Sequence, residues 1–161
     1  MKRIGLYLVL VLLGVMLVGC GQEKQPQLNW SVAVVEQQVK EQLETVDQVH
    51  QYDGSVAKVS HLQKPGAGKK FLLLQLKLKK NVAGNHGFQW KGLQLQGKDK
   101  TIYERCQDVF LGDYHYKRLP ATELQLDAQG WVCFEIPVAS RTQDLQLVYQ
   151  ENGKQNTLQM K

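Results

Sequence analysis

The ten residues 71–80 constrain the fold more than any other segment of the chain. Leucine occupies every second position from Leu72 to Leu78, and the later intervening positions, from Gln75 onward, are polar. Successive side chains of a β-strand point to opposite faces of its sheet, whereas a helix would distribute these leucines around its circumference. The segment therefore predicts a strand with one buried face and one face in water.

Segments with the same period of two recur along the chain, and turn-forming residues separate them. They are 30–34, 55–62, 71–80, 101–105, 124–126, 131–138, 145–149 and 156–160. Asn152-Gly153, between the last two, is a strong hairpin signal because both residues tolerate the positive φ angles of a type I′ turn. Phe88 and Trp90 alternate at even positions, whereas Leu93 and Leu95 alternate at odd ones. This shift by one residue at Lys91-Gly92 predicts a β-bulge.

This pattern favours an all-β domain of about seven to nine short strands, arranged as an antiparallel sandwich or barrel. An α/β fold would need helical crossovers of a dozen residues or more between strands, and the pattern contains none. Residues 36–53 are the least regular part. There, the spacing of Val39, Leu43 and Val46 fits one short helix, and an irregular sheet edge is the alternative.

The first 20 residues have the parts of a secretory signal peptide. Lys2 and Arg3 precede an uncharged apolar run from Ile4 to Val18, and the sequence Leu-Val-Gly-Cys ends at Cys20. This ending resembles the bacterial lipobox, in which the cysteine receives a diacylglycerol before cleavage. A run of about 15 residues is also short for a retained transmembrane helix, which needs about 20.

We therefore expect three parts: a leader at 1–19, a lipidated tether at 20–29, and one folded domain at 30–161. The protein would be held on the extracytoplasmic face of the cell membrane by the acyl chains on Cys20, since two or more chains anchor a protein stably. Removing Lys2 and Arg3 from the 20 Lys and Arg leaves 18 against 15 Asp and Glu, a net charge of +3. So small a charge does not favour nucleic-acid binding.

Lipidation of Cys20 would leave Cys106 and Cys133 as an even pair in an oxidising compartment. The sequence favours a disulfide between them, which would contribute roughly 3.5 kcal/mol in the chain-entropy model. Two free, buried thiols are the alternative.

The sequence contains no recognisable catalytic or metal motif. The four histidines form no H-x-x-x-H or H-x-H pair, and no two cysteines have zinc-ligand spacing. A nucleophile elbow, a P-loop and a dinucleotide-binding glycine pattern are also missing. We therefore expect a non-enzymatic protein without a cofactor or metal.

The longest connection, 106–120, contains Asp113, Tyr114, His115 and Tyr116. Carboxylate, imidazole and phenol groups on a loop carried by a rigid sheet are typical of a binding rim. The alternative is a solvated loop whose tyrosines pack on the end of the domain.

Several segments of the domain, taken in order, follow the layout of a known family. They are the glycine-lysine-phenylalanine strand and its closing asparagine (Gly68–Phe71, Asn81), Tyr103 of the following hairpin, the Gly130–Pro137 strand with Phe134, and the last strand with Leu145 and Tyr149. The chain thus resembles, over about residues 30–150, bacterial lipoproteins with an immunoglobulin-like domain of unknown function, grouped with telokin-like and mycobacterial immunoprotective extracellular proteins. Its Gln96–Asp99 turn departs from the family's Asp-x-x-Gly order. The resemblance implies an immunoglobulin-like β-sandwich and no catalytic residue.

We expect such a lipoprotein to bind an unknown protein, a wall polymer or a small ligand. A carrier of a small ligand or metal is the second hypothesis, and a hydrolase is the third.

Overall fold

The structure is a computed structural model that describes residues 28–109, 111, 116–120 and 122–160. This part of the chain contains nine β-strands and no α-helix, which confirms the all-β prediction. The strands are β1 (Trp30–Lys40), β2 (Leu43–His50), β3 (Val56–Gln63), β4 (Lys69–Lys80), β5 (Leu93–Gly97), β6 (Ile102–Tyr103), β7 (Ala128–Pro137), β8 (Leu145–Glu151) and β9 (Lys154–Gln159). Nowhere in these residues is a helix long and apolar enough to cross a membrane.

The strands form three antiparallel sheets. The first has the order β1-β4-β7, the second β6-β5-β8-β9, and the third consists of β2 and β3 alone. The first two sheets pack face to face as a β-sandwich, which we call the body. We call β2, β3 and the turn between them the arm.

The core of the body lies between its two sheets. Leu72, Leu74, Leu76 and Leu78 of β4 are all buried there, as the alternation predicted. They pack against residues of β1, β5, β7, β8 and the preceding loops: Trp30, Val32, Phe88, Leu93, Leu95, Val132, Phe134, Ile136, Leu145, Leu147 and Tyr149.

The other face of β4 is only partly in water. Phe71 and Leu73 point away from the core, yet both are buried in a second apolar cluster with Trp131 and Cys133 of β7. Leu43, at the base of the arm, and residues of the 106–116 connection cover this cluster. The first half of β4 is therefore buried on both faces, whereas the prediction gave it one wet face.

The two predictions for local backbone geometry have different outcomes. The Asn152-Gly153 turn is confirmed, because both residues have positive φ angles, 50° and 74°. The bulge at Lys91-Gly92 is wrong, because Trp90–Gly92 forms a 3₁₀ turn. Gly92 is required there because a Cβ atom would collide with the carbonyl oxygen of Gln150.

The segment 124–126 is not a strand. Leu124 forms one isolated bridge with Phe88, and β7 begins soon after it, at Ala128. Gly130 allows the segment before it to pack closely, since a Cβ atom at this position would lie 2.6 Å from the Lys117 carbonyl oxygen.

Residues 36–40 and 43–50 form strands, so the short helix that the spacing also fits is wrong. β1 continues to Lys40 after an irregularity between Val34 and Glu36, where the pairing with β4 shifts by one residue. β2 then begins at Leu43 and pairs with β3 over its full length.

Candidate functional site

Most of the residues that the sequence singled out fall outside the described part of the chain. Cys20, Asp113, Tyr114 and His115 all do so. Of the four residues proposed as a binding rim, Tyr116 alone is described.

Tyr116 packs on the second cluster. Its ring meets that of Trp131 edge to face at a centroid distance of 5.1 Å, and its hydroxyl donates a hydrogen bond of 3.1 Å to Gln38 Oε1. Burial, with a smaller contribution from the charge of Glu36, raises the pKa of the Tyr116 phenol. These contacts agree with the alternative in which the tyrosine packs on the domain.

The predicted disulfide is not formed, because Cys106 and Cys133 are both free thiols. The two residues nevertheless face each other, since the backbone N–H of Cys106 donates to the Cys133 carbonyl at 2.8 Å and the adjacent residues Arg105 and Phe134 form an antiparallel bridge. Residues opposite each other in antiparallel strands usually hold their Cβ atoms about 4.5–5.5 Å apart. A disulfide needs about 3.5–4.5 Å, so this register places the two residues at the edge of disulfide range, although both are thiols in this structure.

The two thiols differ in their electrostatics. A hydrogen bond from the Cys133 side chain lowers the pKa of Cys106, although burial opposes this effect. The same hydrogen bond, together with burial, raises the pKa of Cys133. Cys106 is therefore the more readily ionised thiol of the pair.

The side chain best suited to hold a ligand is Arg105, which the sequence pattern did not single out. Its guanidinium lies over the ring of Trp90, with 4.0 Å between Cζ and the ring centroid. Burial lowers the pKa of the Arg105 guanidinium, and the nearby positive charge of Arg118 lowers it further. An arginine remains charged at neutral pH even so, because its pKa starts above 12.

The Trp90 ring beneath this cation is held in place by contacts of its own. Its indole N–H donates a hydrogen bond of 2.9 Å to the Thr122 carbonyl, and the ring of Phe88 contacts it edge to face at 4.9 Å. Stacking of this kind contributes about 0.5–2 kcal/mol, depending on burial. The guanidinium is therefore held in place by a ring rather than by a carboxylate.

The other two arginines of the described chain have polar partners. Arg141 forms an ion pair with Asp144 at 2.8 Å, and Arg118 donates to the Gln107 carbonyl at 2.7 Å. Among the described residues, Arg105 makes no such ion pair or hydrogen bond. A half-buried cation that keeps its donors unused favours an anionic ligand, because charge-assisted hydrogen bonds are about twice as strong as neutral ones.

Arg105 lines a half-open groove of about 340 Å³ on the side of the body. The groove runs between the Trp90–Gly92 turn, β5 and the segment that follows β6. Its lining residues include Trp90, Lys91, Gln94, Tyr103 and Gln107. It thus combines apolar walls with a few converging polar groups, which is typical of ligand pockets.

The charges in this groove have a positive balance. Lys91 and Arg105 line it with one carboxylate, that of the exposed Glu104. A second depression of about 380 Å³, on the other side of Glu104, contains Cys106 and the ion pair between Lys69 and Glu135. Its cation is already neutralised, so the Arg105 groove is the better anion site.

No metal site is apparent in the described residues, where no three His, Cys, Asp or Glu side chains converge. A third depression, of about 280 Å³, lies between residues 33–37 of β1 and Leu158–Met160. Glu36 is its one ionisable group, so it lacks a set of converging charged groups.

One sequence signal could have identified the Arg105 groove. The tryptophan in Trp90-Lys91-Gly92 lies just before a strand, and Arg105 just after the next one. In a hairpin, residues on either side of the paired strands come together. The bulge predicted at Lys91-Gly92 would instead continue the strand through Trp90, which conceals this signal.

The chain was compared with protein families, curated proteins and solved structures. No family model matches the chain, and no curated protein matches it significantly. An uncharacterised β-sandwich protein from Clostridium difficile 630, known from its crystal structure, is similar in structure, with 11% sequence identity and a TM-score of 0.45. The match covers 84% of this chain and 88% of the other. The description of this chain as a β-sandwich rests on its own sheets and core.

Proposed function

We propose that this protein is a lipid-anchored lipoprotein of the extracytoplasmic membrane face, and that its β-sandwich binds an anionic ligand without catalysing a reaction. The anchor follows from the leader and lipobox that end at Cys20. The ligand class follows from the groove around Arg105. We also propose that the sandwich is of the immunoglobulin-like type, on the strength of the resemblance that the sequence bears to that family.

One observation carries the proposal: Arg105 is half-buried and stacked on Trp90, and it has no carboxylate partner among the described residues. Partial burial of an unpaired cation is unfavourable, because it loses hydration without a compensating charge. An anion that enters the groove would offset this loss. A carboxylate or phosphate would fit the planar fork of the guanidinium with two parallel hydrogen bonds.

A phosphate-bearing wall polymer is the ligand class that suits an anchored domain best. Such a polymer lies within reach of a domain tethered to the membrane by about ten residues. Lys91 at the rim would add charge attraction along the polymer.

A carrier of a small anionic ligand is the second candidate function. The groove volume of about 340 Å³ falls at the lower end of the range for small-molecule pockets. A metal carrier or a hydrolase would need a set of converging side chains that the described residues do not supply.

The proposal can be tested by titrating the full-length, detergent-extracted protein with a purified polyglycerolphosphate and, separately, with inorganic phosphate. We expect Arg105→Ala to weaken binding by about 10- to 100-fold, since hydrogen bonds to charged groups contribute about 1.5–3 kcal/mol. Arg105→Lys should recover part of the affinity, because lysine restores the charge but not the fork.

Arg141→Ala is the matched control, since it removes an exposed arginine that is already paired with Asp144. Binding of the polymer but not of phosphate supports the wall-polymer ligand. Binding of both supports the small-ligand carrier. If neither probe binds, or if Arg105→Ala and Arg141→Ala lower the affinity equally, the groove is not the anion site.

A further inference from the structure

The exposed apolar side chains of this protein are concentrated in one region. Seven of the ten large hydrophobic residues that are exposed in the described chain lie between Val35 and Leu62. Five of them belong to the arm: Val49, Tyr52, Val56, Val59 and Leu62. Monomeric proteins rarely expose apolar residues in such a concentration, and it usually marks an interaction surface.

The arm is also incomplete as a sheet. Its two strands pair only with each other, so each has an outer edge that no strand of the described chain covers. A two-stranded hairpin is marginally stable in water, and three or more strands are usually needed. An open edge with exposed apolar side chains is a template for pairing with another chain.

The spacing along β3 indicates what covers this edge. Val56, Val59 and Leu62 are placed symmetrically about Val59, three residues on either side. If β3 meets a second β3 in antiparallel register centred on Val59, the two valines lie opposite each other at the centre. Each Val56 then lies opposite a Leu62 of the other copy on one face of the sheet, and the two Val59 side chains meet on the other face, because alternate residues of a strand point to opposite faces.

The same register also suits the charged residues. Lys58 lies opposite Ser60 of the other copy rather than opposite a second lysine. Lys64, just beyond β3, lies opposite Gly54 and therefore next to Asp53 at the tip of the other arm. Both Lys64 and Asp53 are exposed, and the symmetry brings this pair together twice.

We infer that β3 is a dimerisation strand, which pairs with β3 of a second copy of this chain to form a four-stranded sheet in the order β2-β3-β3-β2. A two-fold interface of this kind requires a surface that is complementary to itself, and β3 meets that requirement. An anionic membrane surface is a poorer occupant, because residues 41–64 contain four acidic side chains and two lysines. A strand pair of eight residues is smaller than the interface of a stable complex, about 800 Å² per partner, so we expect a weak dimer.

The register can be tested by cross-linking the full-length protein in membranes. Val59→Cys places two thiols opposite each other at the centre of the dimer, so mild oxidation should give a disulfide-linked dimer on a non-reducing gel. Leu126→Cys, which is exposed in the body, is the matched control, and the unsubstituted chain gives the background from Cys106 and Cys133. A dimer yield no higher than that of the control overturns the inference, as does a link to a different protein.

A second measurement uses charge at the same position. Val59→Lys alone and Val59→Glu alone should each weaken the dimer at least about tenfold, because like charges then meet at its centre. Sedimentation measures this, as does a cross-linker that does not react with amines and therefore ignores the added lysine. An equal mixture of the two variants should dimerise again, since lysine then faces glutamate. A mixture that stays monomeric overturns the inference, and circular dichroism of each variant shows that it is folded. Neither experiment involves Arg105, so the anion site and the dimer can fail independently.

Discussion

The body and the arm are built from the same kind of strand, yet they differ in what those strands bury. β4, in the middle of the body, has neighbours on both edges and, in its first half, buried side chains on both faces. β3 has one neighbour, and its large side chains are exposed. Alternating sequence therefore makes a strand in both places, but only the body obtains its stability from burial within the chain.

The largest difference should appear when one apolar side chain is truncated in each region. We expect Leu74→Ala to lower the free energy of unfolding by about 2–5 kcal/mol, because it leaves a cavity in the core. Val59→Ala should change the stability of the monomer by about 0.5 kcal/mol or less, because the side chain is 39% exposed. Urea denaturation followed by circular dichroism measures both, and equal losses would contradict the contrast.

The junction between the two regions should respond differently from either. Leu43 is buried in the second cluster and attaches the arm to the body. We expect Leu43→Ala to cost about 2–3 kcal/mol. It should also accelerate hydrogen exchange of β2 and β3 amides more than that of β4 amides. If exchange rises uniformly, the arm unfolds together with the body and is not a separate unit.

The two cysteines of the body should differ in their reactivity. Cys106 borders a depression and has the lowered pKa, whereas Cys133 is buried and has the raised pKa. We expect iodoacetamide to modify Cys106 at least about tenfold faster than Cys133, since the thiolate is the nucleophile. Peptide mass mapping measures this ratio, and Cys106→Ser is the control for labelling of Cys133. Failure of both residues to react before reduction would show that they are bridged in the isolated protein.

The two regions also contain comparable turns that differ at one position. Asp53 accepts hydrogen bonds in the arm turn and Asp99 in the β5–β6 turn, and a residue of positive φ follows each. That residue is Gly54 in the arm but Lys100, with a φ of 65°, in the body. Because a side chain in this region is strained, we expect Lys100→Gly to stabilise by up to about 1 kcal/mol and Gly54→Lys to destabilise by about as much. Thermal unfolding checks both signs.

The smallest effect concerns the pH dependence of these turns. Hydrogen bonds from Ser55 and Thr101 lower the pKa of Asp53 and Asp99, respectively. A carboxylate whose pKa is lowered by folding stabilises the folded state above its unfolded pKa, near 3.8, and this stabilisation is lost as the pH falls through the lower, folded pKa. NMR titration should therefore give both carboxyls pKa values below 3.8. Ser55→Ala should raise the pKa of Asp53 part of the way back to 3.8, and Thr101→Ala should do the same for Asp99. If these pKa values do not change, the hydrogen bonds are not the cause of the shifts.

Much of the fold could be predicted from the sequence because it depends on local chemistry. The leucines of β4 alternate with the period of a strand, and Asn152-Gly153 has the backbone freedom that its turn requires. Residues 36–50 were ambiguous because the spacing of Val39, Leu43 and Val46 also fits a helix. Their partners, β4 for β1 and β3 for β2, resolved that ambiguity, and partners lie beyond the reach of a local pattern.

The candidate site was less predictable for the same reason. The residues next to Arg105 do not indicate that it stacks on Trp90, and only the pairing of the hairpin that they flank brings the two side chains together. The cysteine pair shows the converse case. The cysteine count led to the pairing of Cys106 with Cys133, and the two do lie opposite each other, but both are free thiols in this structure.

By itself, the sequence determined that this protein is all-β, where most of its strands run and which face of β4 forms the core, because these depend on side-chain period and turn chemistry. It also supplied the expected lipid anchor at Cys20. The tertiary structure alone decided that the other face of β4 is half covered, that the arm stands without a third strand in the described chain, and that Arg105 meets a ring instead of a carboxylate. These features depend on which distant segments pack together, and that is set by the total burial of the chain rather than by any one segment.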